Sequence, residues 1–166
     1  ITNSHATKNL LIKENAKLSP RPDFIPAWDD ISDERKAFEI YRMATYAATI
    51  DIVDQNMARL VNYLKENNAY ENTLIIFTSD NGASPFERSN GIQYPSWDPR
   101  SGYRTGVAWA WLSNTPFRWF KQNHHEGGIA APTIAHFPAG MSSKKGNINH
   151  DLGHLLDIMP TIVELT

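Results

Sequence analysis

Apolar side chains recur at helical spacing between Ser32 and about Asn67. They occupy positions 40, 43, 47, 50, 57, 61 and 64, which form one stripe along an α-helix. Ser32 can cap the first turn, and Asp33 and Glu34 place negative charge where the helix dipole favours it. Asn67 and Asn68 suit the helix end, because asparagine tolerates the left-handed conformation. The pattern predicts one long helix.

Two shorter apolar stretches indicate strands. Residues 73–79 (Thr-Leu-Ile-Ile-Phe-Thr-Ser) form a near-continuous β-branched and apolar run, which suits a strand buried on both faces of a parallel sheet. A second strand is expected at residues 133–137, before Pro138, and a last helix near Pro160. A long helix that leads into a buried strand favours an α/β layer architecture.

Two regions show no sustained periodicity of apolar residues, either helical or strand-like. Residues 1–31 include Pro20, Pro22 and Pro26 and are expected to form an extended, irregular segment. Residues 82–120 contain four of the five tryptophans, at positions 97, 109, 111 and 119. Long loops are usually functional or disordered, and disordered segments are poor in aromatic residues. An ordered loop that builds a pocket is therefore predicted.

Composition narrows the class of protein. A chain of 166 residues suits one domain, and a formal charge of −2 argues against a nucleic-acid or polybasic membrane partner. The absence of cysteine excludes a disulfide or a cysteine nucleophile within these residues. No run approaches the roughly 18 apolar residues of a membrane span. The N-terminus has neither a starting methionine nor the apolar core of a signal peptide, so we expect a fragment.

The chemistry-bearing residues begin where the first predicted strand ends. Asp80 and Asn81 offer a carboxylate and an amide oxygen, which suit Ca²⁺ or Mg²⁺ better than a soft metal. Ligands of open α/β sheets collect outside the carboxyl ends of the strands. The alternative is an ordinary turn, since Asp, Asn and Gly favour turns.

A second candidate is Lys121, which precedes a segment rich in histidine and glycine at residues 122–128. A lysine presents a point charge to an oxyanion, and paired glycines allow close backbone approach. The alternative is a solvated surface lysine.

Three further features have plainer interpretations. Asp54 interrupts the apolar stripe, either as a carboxylate bonded to a neighbouring loop or as a ligand. His150 and His154 have the spacing of a zinc helix, but Gly153 weakens a helix there and no third ligand is evident. Residues 96–100 (Ser-Trp-Asp-Pro-Arg) contain a serine without a recognisable base and favour a turn.

Taken in order, these pieces resemble the sulfatase family of the alkaline-phosphatase-like superfamily. The resemblance covers about 21–166 and is carried by six ordered segments, at residues 21–29, 46–54, 72–82, 113–118, 121–132 and 157–161. The segments Ser113–Arg118 and His125–Gly128 point towards bacterial arylsulfatase-type members. The resemblance implies a three-layer α/β/α sandwich with a mostly parallel sheet, of which residues 1–166 would be a single partial domain.

The resemblance also implies roles for particular residues. Asp80 and Asn81 match a pair of Ca²⁺ (or Mg²⁺) ligands, and Lys121 matches the lysine that contacts the sulfate ester and acts in catalysis. Glu126, with the glycines after it, matches a segment that shapes the site, and His125 is a possible pocket residue. The implied reaction is hydrolysis of a sulfate monoester by a hydrated formylglycine, with electrostatic stabilisation of the transition state.

The chain departs from the family pattern in one important respect. It contains no C/S-x-P-S/A-R motif, from which formylglycine is made, and it lacks the family's paired-aspartate stretch that supplies the first metal ligands. We therefore expect the later part of a catalytic domain, inactive alone, whose missing partner is the N-terminal half. The expected substrate is a small sulfate ester or a sulfated sugar. A phosphonate or phosphodiester hydrolase and a non-catalytic binding domain stay open, as does the compartment, bacterial periplasm or cytoplasm.

Overall fold

A computed structural model describes most of the chain, and its contacts divide the chain into two compact units. The described residues are 18–87, 94, 98, 100–101, 104–141 and 146–165. One unit comprises residues 1–55 and 81–130, and the other comprises residues 56–80 and 131–166. The single partial domain predicted for residues 1–166 stays a prediction.

The first and longest element is helix α1, Asp33–Glu66, which confirms the predicted helix. The backbone N–H of Arg35 donates to the Ser32 hydroxyl oxygen at 3.3 Å, so Ser32 caps the first turn as expected. The backbone N–H of Glu34 and then the Ser32 hydroxyl hold the pKa of the Glu34 carboxyl below its usual value.

The end of α1 also follows the sequence. Asn68 adopts a left-handed backbone conformation with φ 55°. The Asn68 N–H donates to the Lys65 carbonyl at 3.1 Å, and the Ala69 N–H donates to the Leu64 carbonyl at 2.9 Å. This pair of bonds is the Schellman arrangement, which satisfies carbonyls that the last helical turn leaves without partners.

The face that α1 buries is not the apolar stripe. Its buried residues are Glu39 and Arg42, whereas Ile40 is 59% exposed and Ile50 is 52% exposed. Asp54, on the same stripe, is exposed as well. The stripe residues at positions 43, 57, 61 and 64 are half-buried, and none of the seven is fully buried.

Two short strands pair in the second unit. Strand β1, Ile75–Thr78, pairs with strand β2, Thr133–His136, and Thr78 lies opposite Thr133 with their hydroxyl oxygens 2.8 Å apart. The pairing is antiparallel, so the parallel arrangement expected for these strands is wrong for the pair that is described. A β-branched apolar run fits a pleated surface in either direction, so the pattern located the strands without fixing their orientation.

Helix α2, Gly106–Ser113, lies inside the region expected to be a long loop. Its sequence, Gly-Val-Ala-Trp-Ala-Trp-Leu-Ser, is apolar on every side, so it shows no alternation from which a helix could be inferred. Two further helices are short: α3, Glu126–Ile129, and α4, Ile158–Leu165. The expected last helix is confirmed, with Pro160 in its first turn, where proline is tolerated.

The first unit is held together by a polar network as much as by apolar packing. The buried Arg42 donates from Nη1 to the Glu87 carboxylate at 2.8 Å and to the Thr105 carbonyl at 3.1 Å. Its guanidinium also lies 3.4 Å from Glu39, which accepts from the Trp109 indole N–H at 2.7 Å. The network therefore joins α1 to the segment after residue 81 and to α2.

Among the residues that the structure describes, no helix combines the length and hydrophobicity that a bilayer crossing requires.

Candidate active site

The predicted metal pair follows β1 directly. The strand ends at Thr78, and Asp80 and Asn81 come two and three residues later, as the sequence predicts. Asp80 is exposed, whereas Asn81 is half-buried and is the first residue of its segment in the first unit. Asn81 therefore begins a segment of that unit whose position is fixed by hydrogen bonds at the next two residues, Gly82 and Ala83.

Gly82 brings this segment against the glycine pair of α3. Its N–H donates to the Gly128 carbonyl at 3.0 Å. A Cβ atom added at Gly82 would overlap the Gly127 carbonyl oxygen and lie 3.2 Å from the Gly128 Cα. The two backbones pack without side chains between them, which is the close approach expected of the paired glycines.

Lys121 is held beside the same segment through its backbone. The Lys121 N–H donates to the Ala83 carbonyl at 3.1 Å. This bond places Lys121 next to a residue only two positions beyond Asn81. The side chain is half-buried, and its ammonium forms no salt bridge with any residue that the structure describes. The backbone positions the lysine while its charge is not neutralised by an acidic partner in the described chain.

The chain around Lys121 turns tightly on itself. Trp119 and Gln122 both have left-handed backbone conformations, with φ 65° and φ 77°. The Gly127 N–H donates to the Arg118 carbonyl at 2.9 Å, which closes the turn. Left-handed conformations are unfavourable for residues other than glycine and are retained where surrounding contacts fix them.

Aromatic rings stand beside this turn. The Trp119 ring is stacked with Phe24 (centroids 6.2 Å apart) and with His125 (6.5 Å), and it meets Phe120 edge to face at 5.7 Å. Phe120 is buried, whereas Phe117 is 46% exposed. Trp97 lies outside the described residues. The prediction of an ordered aromatic region is supported at these described positions.

Asn114 is the residue that the sequence did not single out by its chemistry. It follows α2, and its side-chain oxygen accepts the Ala83 N–H at 3.2 Å. Its amide nitrogen donates to the carbonyls of Ala110 and Trp119 at 3.0 and 3.2 Å. The only indication in the sequence was its place in the family-like segment 113–118.

The oxygen atoms of the Asp80 and Asn81 side chains are of the type that a hard cation prefers as ligands. Carboxylate and amide oxygens are the ligands that Ca²⁺ and Mg²⁺ prefer, but calcium takes about six to eight of them. Within the described residues no three or more His, Cys, Asp or Glu side chains cluster to hold a metal. The pair therefore fits one part of such a site and would need further ligands.

Two other motifs, His150 with His154 and residues 96–100, are expected to be something other than a zinc site and a catalytic serine. The geometry at their described residues agrees with those expectations. His154 caps the short 3₁₀ helix Leu155–Asp157 by accepting the Leu156 N–H at Nδ1 (3.1 Å), and residues 150–153 are not helical. Arg100 donates to both carboxylate oxygens of Asp98, at 2.9 and 2.6 Å, and lowers the pKa of that carboxyl. These contacts belong to a helix cap and a turn. Residues 95–97 and 99 lie outside the described part of the chain.

Comparison with known proteins assigns the family. The sequence matches the Sulfatase family over residues 5–166. The chain therefore belongs to the sulfatase family, as the ordered segments predict. An uncharacterised sulfatase of Schizosaccharomyces pombe is 32% identical, and the match covers 96% of this chain and 31% of that protein.

More distant relatives carry more specific names. An arylsulfatase of Klebsiella aerogenes is 27% identical over 87% of this chain and 34% of its own length. The N-acetylgalactosamine-6-sulfatase of Homo sapiens is 28% identical over 72% of this chain and 19% of its own length. The chain thus spans about a third or less of the curated relatives it matches.

Proposed function

We propose that this chain contributes two metal ligands, Asp80 and Asn81, and a sulfate-contacting lysine, Lys121, to a metal-dependent hydrolase of sulfate monoesters. The observation that carries the proposal is the backbone bond from Lys121 to Ala83, which holds the lysine beside the segment that Asn81 begins. Membership of the sulfatase family supplies the reaction class. In this proposal the chain forms part of a three-layer α/β/α sandwich.

Each residue has a separate task in the proposed reaction. The Asp80 carboxylate and the Asn81 amide oxygen hold the cation, Ca²⁺ or Mg²⁺. When bound, the cation supplies charge neutralisation at the sulfate oxygens. The Lys121 ammonium stabilises negative charge that develops on the ester oxygen as the S–O bond breaks. A lysine positioned by its backbone suits this task, because its charge stays available to an anion.

The nucleophile of the proposed reaction lies outside these 166 residues. They contain no C/S-x-P-S/A-R motif from which formylglycine is made. The proposed active site therefore combines this chain with a formylglycine-bearing N-terminal part of the catalytic domain. The arylsulfatase-like substrate class, small aryl sulfates or sulfated sugars, is supported by the segments at 113–118 and 125–128.

The proposal is tested in the full-length protein with an aryl sulfate as substrate. We expect Lys121→Ala to lower kcat by roughly two to three orders of magnitude, the usual effect of removing one charge-stabilising donor. The matched control is Lys36→Ala, which removes a lysine of helix α1 that is distant from Lys121 in the sequence. This variant should leave kcat unchanged. Turnover by Lys121→Ala equal to that of the control would refute the role of Lys121.

The metal role has its own measurement. Calcium titration of the metal-free full-length protein by calorimetry should show loss of tight binding in Asp80→Ala. Asp33→Ala removes another exposed aspartate and should retain wild-type affinity. Equal affinity in Asp80→Ala and wild type would remove Asp80 from the metal site. A preference of the full-length enzyme for phosphate over sulfate esters would instead identify a phosphonate or phosphodiester hydrolase.

A further inference from the structure

Asn114 connects two segments of the first unit that carry proposed site residues. Its side-chain oxygen accepts the Ala83 N–H at 3.2 Å, and its amide nitrogen donates to the Trp119 carbonyl at 3.2 Å. Ala83 lies two residues after Asn81, and Trp119 lies two residues before Lys121. One half-buried amide therefore bridges the two segments with a donor on one side and an acceptor on the other.

The chemistry of the bridge fixes how the amide is oriented. The Ala83 N–H can bond only to an acceptor, and the carbonyls of Ala110 and Trp119 can bond only to a donor. Asn114 Oδ1 and Nδ2 meet these three demands together. Neither an aliphatic side chain nor a carboxylate of the same size can satisfy all three.

The bridge completes the contacts of the Ala83 peptide groups. Asn114 accepts the Ala83 N–H, and Lys121 donates its own N–H to the Ala83 carbonyl at 3.1 Å. On the other side, Asn114 holds the carbonyl of Trp119, whose left-handed backbone with φ 65° directs the chain into Lys121. Asn114 thus acts on both segments at points adjoining their proposed functional side chains.

We propose that Asn114 is a positioning residue that sets the placement of Lys121 relative to Asn81. This inference rests on the proposed function of those two residues. Asn114 does not touch substrate or metal in this arrangement. It acts through Ala83 on the metal-ligand segment and through Trp119 on the lysine.

Two substitutions separate the two arms of the bridge, which are the bond that Asn114 Oδ1 accepts from Ala83 and the bonds that Nδ2 donates to Ala110 and Trp119. Asn114→Asp keeps an oxygen acceptor for the Ala83 N–H but loses both donated bonds, whereas Asn114→Ala loses all three. The matched control is Asn67→Ala. Asn67 follows helix α1 and donates to the carbonyl four residues earlier, Tyr63, at 2.8 Å, just as Asn114 donates to Ala110. The control removes the same helix-end contact without a bond to either site segment.

The measurements are the calcium affinity of the metal-free full-length protein and the kcat and KM for an aryl sulfate. Asn114→Ala should weaken calcium binding about three- to tenfold, the factor that one net hydrogen bond supplies. Both variants should lower kcat by roughly tenfold or more, because misplacement of a catalytic group by about 1 Å can cost a hundredfold. Asn114→Asp should retain near wild-type calcium affinity, and Asn67→Ala should change neither quantity.

The outcomes separate this inference from the proposed function. Wild-type kcat in both Asn114 variants overturns the positioning role, and equal loss of calcium affinity in both variants overturns the assignment of separate arms. If Asn114→Ala does not fold, as judged by thermal melting, Asn114→Asp alone decides the kcat prediction. Wild-type behaviour of Asp80→Ala and Lys121→Ala would refute the proposed function itself.

Discussion

Replacement of Gly82 by alanine is the sharpest test of the packing beside the candidate site. The added methyl group would overlap the Gly127 carbonyl oxygen, and the next atom it meets is the Gly127 carbonyl carbon at 2.8 Å. Both obstacles are backbone atoms, so a change of side-chain rotamer cannot relieve the overlap. The two segments would have to move apart.

The cost of that separation can be estimated from the bonds it strains. The Gly82 N–H to Gly128 carbonyl bond and the Lys121 N–H to Ala83 carbonyl bond join the same two segments. Their loss costs about 1 kcal/mol each, and overpacking adds about 1–3 kcal/mol. Alanine returns about 0.4–1 kcal/mol by restricting the unfolded chain. The sum is a loss of about 2–5 kcal/mol in the free energy of unfolding.

Gly153→Ala provides the matched control, because a Cβ atom at Gly153 would meet nothing within 4 Å. Urea denaturation of the full-length protein should show a large loss for Gly82→Ala and no loss, or a small gain, for Gly153→Ala. The kcat for an aryl sulfate should fall only in Gly82→Ala, since the separation moves Lys121. Equal stability of the two variants would show that the backbone contact at Gly82 is not close-packed.

Three other predictions concern stability and pH. Arg42→Met should destabilise the protein by about 2–4 kcal/mol in urea denaturation. This is less than the largest losses measured for buried pairs, because the Glu87 carboxylate that Arg42 contacts is half-exposed. Lys36→Met, which breaks a 3.8 Å pair with the exposed Asp33, should cost under about 0.5 kcal/mol. Ser32→Ala should raise the pKa of Glu34, measured by NMR titration. Because the folded-state pKa of Glu34 is lowered, its stabilising effect is present above the unfolded-state pKa and is lost as pH falls through the folded value, and this acid-dependent loss should shrink in the variant. Asn68→Ala should cost about 1 kcal/mol in thermal melts, whereas Asn68→Gly should not, because φ is 55° there.

The sequence predicted the elements whose determinants are local. Helix α1 begins after a serine cap, and the left-handed Asn68 closes its C-terminal end; both residues bond as their types suggest. The strands at Ile75–Thr78 and Thr133–His136 lie within their β-branched runs. Capping and β-propensity act over a few residues, so they can be inferred without knowing the rest of the fold.

The features that the sequence did not predict depend on tertiary contacts. Helix α2 is apolar on every side, which hides its periodicity, and the direction of strand pairing has no local signature. The buried face of α1 carries Glu39 and Arg42 because Glu87 and the Trp109 indole lie against them. Likewise, Asn114 bonds to Ala83, which is 31 residues away. Single-sequence patterns do not encode such partners.

The contacts around Lys121 bear on how a site for an anion can be built. A lysine fixed by a salt bridge would have its charge offset before a sulfate ester arrived. Here Lys121 is placed by its backbone N–H on Ala83, and Ala83 is held in turn by the uncharged Asn114 and by the neighbouring Gly82. It follows that substitutions at Asn114 and Gly82 should impair turnover through geometry, with no change of charge at the site. Salt should therefore fail to restore activity in those variants, whereas a loss caused by altered charge would change with ionic strength.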